Sequence, residues 1–359
     1  MTLDRNAIGN ILVRGNNFLG DAVMTSPALL ALRHTYPTAT IDILARPHVA
    51  EYFSGLPWVS NVILHEPRGA HRGARGFMKL IGQVRRRRYD MAVLLQKAFG
   101  AALIARMAGI GTRVGFDTDR RRWLLTHPIA ETPQLRRIHH VEYFLKVARG
   151  AGCEIADIPR RLWFPIKESS RTEAAALLAA EDAGRFPFLA AFAPGASKGP
   201  RAWHIERFAQ VARVLSQQHG AGIVVLGGQG DREAAEAILQ AVGSHGIDAC
   251  GRTNLWLMGA LIERCRLFVG NDSGPMHVAA ALDVPVVGLF GPGLPDKTAP
   301  WMAPDRYIAI SNRFPCAPCR QDFFRECEPS GALKPMCLES IAATQVTAAV
   351  NSLLQRAAA

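Results

Sequence analysis

Residues 266–293 read RLFVGNDSGPMHVAAALDVPVVGLFGPG, and they predict a strand, a short loop, a helix and a second strand with almost no residues between them. The apolar run at 267–269 predicts the first strand, 270–274 a tight turn, and 285–290 a buried second strand. Pro275 stands where the first turn of a helix tolerates the loss of an N–H group. The stretch is therefore one βαβ unit of an α/β protein.

The loop of this unit ends at a helix N-terminus, where the free N–H groups near Ser273 and Gly274 favour an anion such as phosphate. Asp272 would repel phosphate. Its carboxylate is better suited to accept hydrogen bonds from sugar hydroxyls while the amides hold a diphosphate. The pattern therefore predicts a nucleotide-sugar site, and the alternative is an Asp or Ser that only caps a helix.

The bulk properties indicate a two-domain globular protein. The chain has 359 residues, more than one core usually serves, and 49% of them are hydrophobic. The first residues lack the basic start and apolar core of a signal peptide, and no window of about eighteen uncharged apolar residues predicts a membrane span. Seven cysteines in such a chain fit reduced thiols. We therefore expect a cytoplasmic protein.

The net charge of +12 is concentrated in the first half of the chain. Residues 1–165 contain 24 Lys and Arg against 12 Asp and Glu, whereas residues 166–359 contain 18 of each. A charge that only kept the protein soluble would be spread over both halves. The asymmetry predicts that the first half meets a polyanion, which could be nucleic acid, acidic lipid or a phosphorylated glycan.

The first half begins with a strand at 8–14, the loop GNNFLGD at 15–21 and a helix at 22–36. The loop has neither the G-x-G-x-x-G spacing of a dinucleotide site nor the Gly-Lys-Ser/Thr of a Walker loop. It places Asp21 at the first turn of the helix. There the carboxylate either caps the helix and complements its dipole, or it acts as a general base at the carboxyl edge of a parallel sheet.

Strand and helix patterns continue to alternate, which predicts a doubly wound sheet. The further strands of the first half are at 39–45, 61–64, 90–95 and 112–115.

Basic residues cluster at three places in this half. Four arginines at 85–88 end a helix, where basic side chains complement the dipole. Arg120, Arg121 and Arg122 lie in an irregular segment, which favours recognition of carboxylate or phosphate. Lys97 follows a strand at the same ligand-facing edge.

A proline-bearing stretch at 153–170 marks the domain boundary and predicts domains at 1–165 and 166–337. In the second domain, the loop PGASKGPR at 194–201 follows a strand at 188–192 and offers small residues and two cations for a diphosphate. After the strand at 223–226, Asp231 and Glu233 open a helix. They either complement its dipole or accept the ribose hydroxyls of a nucleotide.

The tail contains four cysteines within a Cys-rich loop at 313–337. Cys316, Cys319, Cys327 and Cys337 are separated by two, seven and nine residues. The first pair has the spacing of a metal knuckle and the other gaps match no familiar finger, so a structural metal and reduced thiols both remain open. A final helix begins at 338, and we expect the segment 338–359 to pack back across the domain boundary.

Together these loops resemble those of glycosyltransferase family 9, the bacterial ADP-heptose:lipopolysaccharide heptosyltransferases, and the pattern is closest to the second-heptose enzymes. The match spans nearly the whole chain. The residues that carry it are ILVRGNNFLGDAVMTSPAL at 11–29, RVGF at 113–116, FAPGA at 192–196, NDSGPMH at 271–277 and the cysteine-rich tail near Cys316.

The resemblance implies a GT-B fold, in which two Rossmann-like doubly wound domains face each other across a cleft. It also implies that the first domain binds the acceptor and the second the nucleotide-sugar, and that the enzyme inverts the anomeric centre without a catalytic metal or other cofactor. The implied acceptor is inner-core lipopolysaccharide, whose carboxylates and phosphates suit the basic first domain. The enzyme would then be peripheral to the inner membrane.

By position, the resemblance implies that Asp21 is the general base. The implied donor-binding residues are Ser197, Lys198, Arg201, Asp231, Glu233, Asp272, Ser273, Gly274 and His277. The implied acceptor-binding residues are Asn16, Asn17, Lys97, Arg120, Arg121 and Arg122. Arg201 stands where the family often has lysine, which keeps the charge but changes the geometry.

Two other functions fit parts of the sequence. The same fold could act on a protein hydroxyl, another glycan or another nucleotide-sugar. A basic nucleic-acid-binding protein is the reading from a different class, and the absence of aromatic residues among the basic runs disfavours it.

Overall fold

The computed structural model describes residues 5–312, 314–316, 319, 321, 324–325 and 327–356. The chain divides into two compact units, Met1–Trp163 and Phe164–Ala359. The division falls close to the boundary that the sequence predicts after residue 165. Each unit contains a six-stranded sheet whose neighbouring strands are all parallel.

In the first unit, the strand order is β3-β2-β1-β4-β5-β6. The strands are β1 (Asn10–Arg14), β2 (Thr40–Ala45), β3 (Asn61–Leu64), β4 (Met91–Leu94), β5 (Thr112–Phe116) and β6 (His127–Ile129). The helices are α1 (Leu19–Met24), α2 (Ser26–Thr35), α3 (Pro47–Ser54), α4 (Gly73–Arg86), α5 (Phe99–Met107) and α6 (His140–Gly150). The strands β1, β2 and β4 are almost completely buried, as expected for the inner strands of a parallel sheet that is covered on both faces.

The second unit repeats this arrangement with the order β12-β11-β10-β7-β8-β9. The strands are β7 (Leu189–Ala193), β8 (Gly222–Val225), β9 (Gly246–Asp248), β10 (Leu267–Asn271), β11 (Val286–Phe290) and β12 (Tyr307–Ser311). The helices are α7 (Glu168–Ala180), α8 (Ile205–His219), α9 (Arg232–Val242), α10 (Leu255–Glu263), α11 (Gly274–Ala281), α12 (Pro295–Thr298), α13 (Met336–Glu339) and α14 (Ala343–Arg356). Renumbered from its own first strand, each sheet has the order 3-2-1-4-5-6 of a Rossmann fold.

The helix predicted at 22–36 is two helices, α1 and α2, that meet at Thr25. The Thr25 hydroxyl donates to the carbonyl of Ala22 at 2.6 Å, and the Ser26 hydroxyl donates to that of Val23 at 2.7 Å. These side chains satisfy the carbonyls at the end of α1, so the chain can turn there. The helix also begins earlier than predicted, at Leu19. Strands β6, β9 and β12 are absent from the sequence prediction.

The run of arginines at 85–88 serves two purposes. Arg85 and Arg86 form the basic last turn of α4, as the dipole argument predicts. Arg87 instead donates from Nη1 to Oδ2 of Asp42 at 2.8 Å, and the Asp42 side chain is 1% exposed. The hydroxyl of Tyr89 donates to the same oxygen at 2.6 Å. The buried carboxylate is therefore neutralised and hydrogen-bonded, as a buried charge requires.

The C-terminal helix α14 belongs to the core of the second unit. Val346, Val350 and Leu353 on one face of the helix are buried with the residues of α8 and the sheet. The expectation that this segment also packs across the domain boundary stays a prediction. None of the helices within the described residues is long and apolar enough to span a membrane.

Candidate functional site

The candidate site residues follow the carboxyl ends of strands in both sheets, and Asp21, Lys97, Arg201 and Asp272 follow strands of the two central pairs. In the first sheet the strand order reverses between β1 and β4, and in the second between β7 and β10. Loops that follow such a pair separate to opposite faces and leave a crevice, which is where open α/β sheets bind ligands. We describe the two edges in turn.

Asp21 lies in the first turn of α1, whose N-cap residue Phe18 makes no side-chain capping bond. Oδ1 of Asp21 lies 3.4 Å from Nδ1 of His140, the first residue of α6. The two side chains are 31% and 36% exposed, so the pair is accessible from solvent. Within the described residues His140 Nδ1 makes no hydrogen bond, so its 3.4 Å separation from Asp21 is a loose contact.

Asn16 and Asn17 form the loop just before this pair. Asn16 is buried, and Oδ1 of Asn17 accepts a hydrogen bond from Nη2 of Arg14 at 3.0 Å. The backbone carbonyl of Asn17 also contacts Nε2 of His48. These contacts hold the loop to the sheet edge, and the predicted acceptor contacts of the two asparagines stay predictions.

Lys97 follows β4 and belongs to a charge network. Its Nζ donates to Oε1 of Glu131 at 2.9 Å and lies 4.1 Å from the centre of the Tyr143 ring. Arg136 donates from Nε to the other oxygen of Glu131 at 2.9 Å. Burial alone would raise the pKa of Glu131, but the hydrogen bonds and charges of Lys97 and Arg136 outweigh it and lower that pKa. The charge of Lys97 is thus already compensated by a carboxylate.

The prediction of an arginine triplet for anion recognition needs a correction at Arg121. Its side chain is fully buried, and its guanidinium donates to the carbonyls of Phe116 at 2.8 Å and Gln96 at 2.5 Å. Burial lowers the pKa of Arg121 to about 10. Arg121 therefore ties the loop after β4 to the loop after β5 and does not present its charge to a ligand in solvent. Sequence position cannot distinguish a buried guanidinium from an exposed one.

The other two arginines of the triplet are exposed. Arg120 has a left-handed backbone with φ of +55°, and Arg122 donates from Nη1 to Asp117 at 3.2 Å with 69% of its side chain exposed. Their acceptor-binding role stays a prediction.

In the second unit, Asn271 fastens the loop 194–203 to the end of β10. Its side chain is fully buried. Oδ1 accepts from the backbone N–H of Trp203 at 3.0 Å, and Nδ2 donates to the carbonyl of Pro194 at 2.7 Å. One amide thus fixes both ends of the loop that carries the predicted diphosphate contacts. Ser197 and Lys198 are exposed on this loop, and a single 3-10 turn, Gly199–Arg201, brings it back toward the sheet.

Arg201 and Asp272 form a close ion pair. Nη2 of Arg201 donates to Oδ2 of Asp272 at 2.6 Å and to its backbone carbonyl at 3.0 Å. The side chains are 21% and 11% exposed. A Cβ at Gly293 would lie 2.2 Å from Oδ2 of Asp272, so only glycine lets the carboxylate lie against this backbone. Two residues predicted to bind the donor are therefore brought together.

The N-terminus of α11 lies beside this pair. Ser273 is its N-cap residue and makes no side-chain capping bond, and its Oγ is buried without a hydrogen-bond partner in the described part of the chain. Gly274 begins the helix, and His277 is buried in its first turns. A hydroxyl and backbone N–H groups at a helix N-terminus that no side chain caps are suited to donate hydrogen bonds to an anionic ligand.

Asp231 has a structural contact and Glu233 is exposed. Oδ2 of Asp231 accepts from the backbone N–H of Gly228 at 2.8 Å. A Cβ at Gly195 would lie 2.4 Å from Oδ1 of Asp231, so the carboxylate packs directly on the loop after β7. Asp231 therefore links the loops after β7 and β8, and the predicted ribose contact of either acid stays a prediction.

The four tail cysteines are all free thiols, with Cys316 exposed and the other three partly buried. Burial and the charges of Cys316 and Cys319 raise the pKa of Cys337 to about 11. No group of three or more His, Cys, Asp or Glu side chains is placed to hold a metal ion within the residues that the structure describes. The structural-metal hypothesis gains no support from these positions.

Three residues of the site were absent from the sequence prediction: His140, Glu131 and Asn271. Asn271 stands inside the NDSGPMH motif at the end of a buried strand. Because buried polar side chains are hydrogen-bonded, this position could have indicated that its amide bonds to backbone groups. His140 follows a second histidine at the start of a helix, and its partner Asp21 is far away in the sequence. Only the fold shows that the first turns of α1 and α6 adjoin.

Comparison with known proteins gives one consistent family. Residues 77–327 match glycosyltransferase family 9 (heptosyltransferase). The chain is 33% identical over 310 residues to lipopolysaccharide heptosyltransferase 2 of Salmonella typhimurium, and the alignment covers 84% of this chain and 88% of that protein. It is 32% identical to lipopolysaccharide heptosyltransferase 2 of Escherichia coli, and that alignment also covers 84% of this chain and 88% of that protein.

The fold agrees with this sequence similarity. The solved structure of E. coli ADP-heptose lipopolysaccharide heptosyltransferase II superposes with a TM-score of 0.76 and 28% identity, over 98% of this chain and 100% of that chain. The two Rossmann-like units are those of a GT-B glycosyltransferase. With the predicted loop motifs at the carboxyl edges of both sheets, and sequence and fold in agreement, the chain belongs to glycosyltransferase family 9, the heptosyltransferases.

Proposed function

We propose that this enzyme transfers heptose from ADP-heptose to the inner core of lipopolysaccharide, with Asp21 as general base, with inversion at the anomeric carbon and without a catalytic metal. The observation that carries the proposal is the accessible Asp21 carboxylate, which faces His140 at the carboxyl edge of the first sheet. The similarity to lipopolysaccharide heptosyltransferases 2 supports the acceptor class, and the structural similarity to the E. coli ADP-heptose enzyme supports the donor.

The proposed step is a single displacement. The acceptor hydroxyl oxygen bonds to the anomeric carbon, the bond from that carbon to the diphosphate oxygen breaks on the opposite face, and ADP leaves with the electron pair. The hydroxyl proton passes to Asp21 as the new bond forms. His140 is a positioning residue, because its ring limits how the carboxylate can turn.

The second unit would stabilise the leaving diphosphate. Arg201 uses Nη2 for both hydrogen bonds to Asp272, and its Nε and Nη1 make none with the described residues. These two groups can therefore bind phosphate oxygens while Asp272 holds the arginine in place. The Ser273 hydroxyl and the Gly274 amide would add donors, with Ser197 and Lys198 on the facing loop.

The test is a transfer assay with purified protein, ADP-heptose and truncated lipopolysaccharide acceptors, read as a mass gain of one heptose. Asp21→Asn should lower kcat by about 10²- to 10⁴-fold, the usual contribution of general base catalysis, and leave ADP binding unchanged. Asp157→Asn, at an exposed position of the same unit, is the control. Activity of Asp21→Asn within a few-fold of the control would rule out Asp21 as the base, and no transfer to any acceptor would overturn the proposed reaction.

The proposal extends to a cytoplasmic location with peripheral contact to the inner membrane. Arg75, Met78 and Lys79 lie on one exposed face of α4, and Met78 is 52% exposed. No acid stands in the first turn of this helix and two arginines stand in its last. A basic helix face with an apolar side chain at its centre is suited to the surface of an anionic membrane.

A further inference from the structure

A cluster of cationic and imidazole side chains lies at the carboxyl ends of β1, β2 and β3. Arg14 ends β1, Arg46 follows β2, and His65 follows β3. These strands are neighbours, with Arg14 opposite Leu44 and Ala45 opposite Leu64. The three side chains therefore share one carboxyl edge. None of them is used in the proposed displacement.

The arginines of this cluster have no anionic partner. Arg14 is 2% exposed, and its guanidinium donates to the Leu44 carbonyl at 2.8 Å and to Asn17. Arg46 is partly buried, and a third arginine, Arg68 in the loop between β3 and α4, is exposed. Within the described residues, none of the three forms an ion pair with a carboxylate. Burial, and then the charge of Arg46, lower the pKa of Arg14 to about 9.

His71 supplies an unused donor to the same place. Its Nδ1 accepts the backbone N–H of Glu66 at 3.1 Å, so Nδ1 carries no proton and the neutral ring holds its proton on Nε2. The residue is 6% exposed, and Nε2 is buried with no hydrogen-bond partner among the described residues. A buried donor left unsatisfied costs about 1–3 kcal/mol, so the position favours a ligand that accepts a hydrogen bond.

His65 lies beside this donor, with 6.2 Å between the two ring centres. Its Nδ1 is also buried and has no partner in the part of the chain that the structure describes. Burial first, and then the charges of Arg14, Arg46 and His71, lower its pKa to about 4. Those three residues come from the end of β1, the start of α3 and the loop before α4, and no carboxylate is among the groups that shift His65.

We propose that Arg14, Arg46, His65 and His71 form an anion-binding site for a phosphate or carboxylate group, in which Nε2 of His71 donates a hydrogen bond and His65 takes up a proton as the anion binds. Arg46 and the exposed Arg68 would attract the anion from solvent by their positive charge. The identity of the natural ligand rests on the proposed function: it is a charged substituent of the acceptor glycan. The site itself does not depend on heptosyl transfer.

The charge balance predicts the pH dependence. Without an anion, the pKa of His65 is about 4, and a bound anion raises it. Between the two values, binding is accompanied by uptake of one proton, so affinity should increase about tenfold for each pH unit that the solution is lowered. Above the raised pKa, affinity should no longer change with pH.

The test uses the full chain and sulfate, whose charge stays constant over the titration range of histidine. The imidazole signals are followed by NMR against pH, with and without sulfate, and His65→Gln assigns the signal. We expect sulfate to raise the pKa of His65 by at least one unit and Arg46→Gln to weaken sulfate binding at least tenfold, while Arg149→Gln, at an exposed position of α6, leaves it unchanged. An identical pKa of His65 with and without sulfate in the unaltered protein would overturn the site.

Competition experiments then separate the sources of the anion. A phosphorylated acceptor glycan should displace sulfate at lower concentration than inorganic phosphate does, and a glycan that carries neither phosphate nor carboxylate groups should not displace it. If inorganic phosphate displaces sulfate and the phosphorylated glycan does not, the assignment to the acceptor is wrong. Because these readings need no transfer activity, they fail or succeed separately from the proposed reaction.

Discussion

Asn271 offers the sharpest test of how the donor-side loop is held. Asn271→Ala removes the partner of the Trp203 N–H and of the Pro194 carbonyl, both of which are buried. Each buried group left unsatisfied costs about 1–3 kcal/mol, so we expect a loss of about 4 kcal/mol in the free energy of unfolding. With a urea m-value of about 3 kcal/mol/M, the midpoint should fall by about 1 M.

The matched control is Asn312→Ala. Nδ2 of Asn312 also donates two hydrogen bonds, to Ser340, but the residue is only partly buried, so water can replace it. We expect a much smaller midpoint change for the control. In a donor-binding assay, Asn271→Ala should also weaken ADP binding, because the loop with Ser197 and Arg201 loses the Asn271 hydrogen bonds at both of its ends. Equal midpoints for the two variants would refute the account of Asn271 as the fastening residue.

Two further predictions concern charge. The pKa of Glu131 is lower in the folded than in the unfolded protein, so the ionised carboxylate stabilises the fold fully above about pH 4.3, and this stabilisation is lost as the pH falls through the folded-state pKa. The urea midpoints of the unaltered protein and of Glu131→Gln should therefore converge in acid. A difference between the two midpoints that does not change with pH would contradict this. For the membrane contact, the double variant Arg75→Gln/Lys79→Gln should weaken binding to vesicles with anionic phospholipid by about 2 kcal/mol, roughly thirtyfold, and an equal loss in Arg149→Gln would contradict the role of α4.

The sequence predicts the fold where the local pattern and the packing agree. The apolar runs of β1, β7, β10 and β11 are buried on both faces and are visible as continuous hydrophobic stretches. Strands β6 and β9 have three residues each, too few for a recognisable pattern. The break at Thr25 was missed because hydroxyl-to-carbonyl bonds can end a helix whose apolar spacing continues.

The candidate site residues also differ in whether local sequence or tertiary packing determines where they lie. Asp21, Arg201 and Asp272 lie at sheet edges, as the strand-to-loop transitions in the sequence predict, and their roles in binding and catalysis stay predictions. Arg121 was misjudged because burial depends on which loops meet around it, and these belong to strands distant in the sequence. His140 and Asn271 act through partners that only the folded chain supplies.

The fastening of residues 194–203 by Asn271 also bears on the order of folding. Asn271 and Pro194 are 77 positions apart in the chain, so the bond between them closes a long loop, which is entropically costly and slow to form. The pairing of β7 with β10 requires the same long loop to close. The segment that would hold the diphosphate is therefore synthesised well before the residue that orders it, and it reaches its final form only once the centre of the second sheet has assembled.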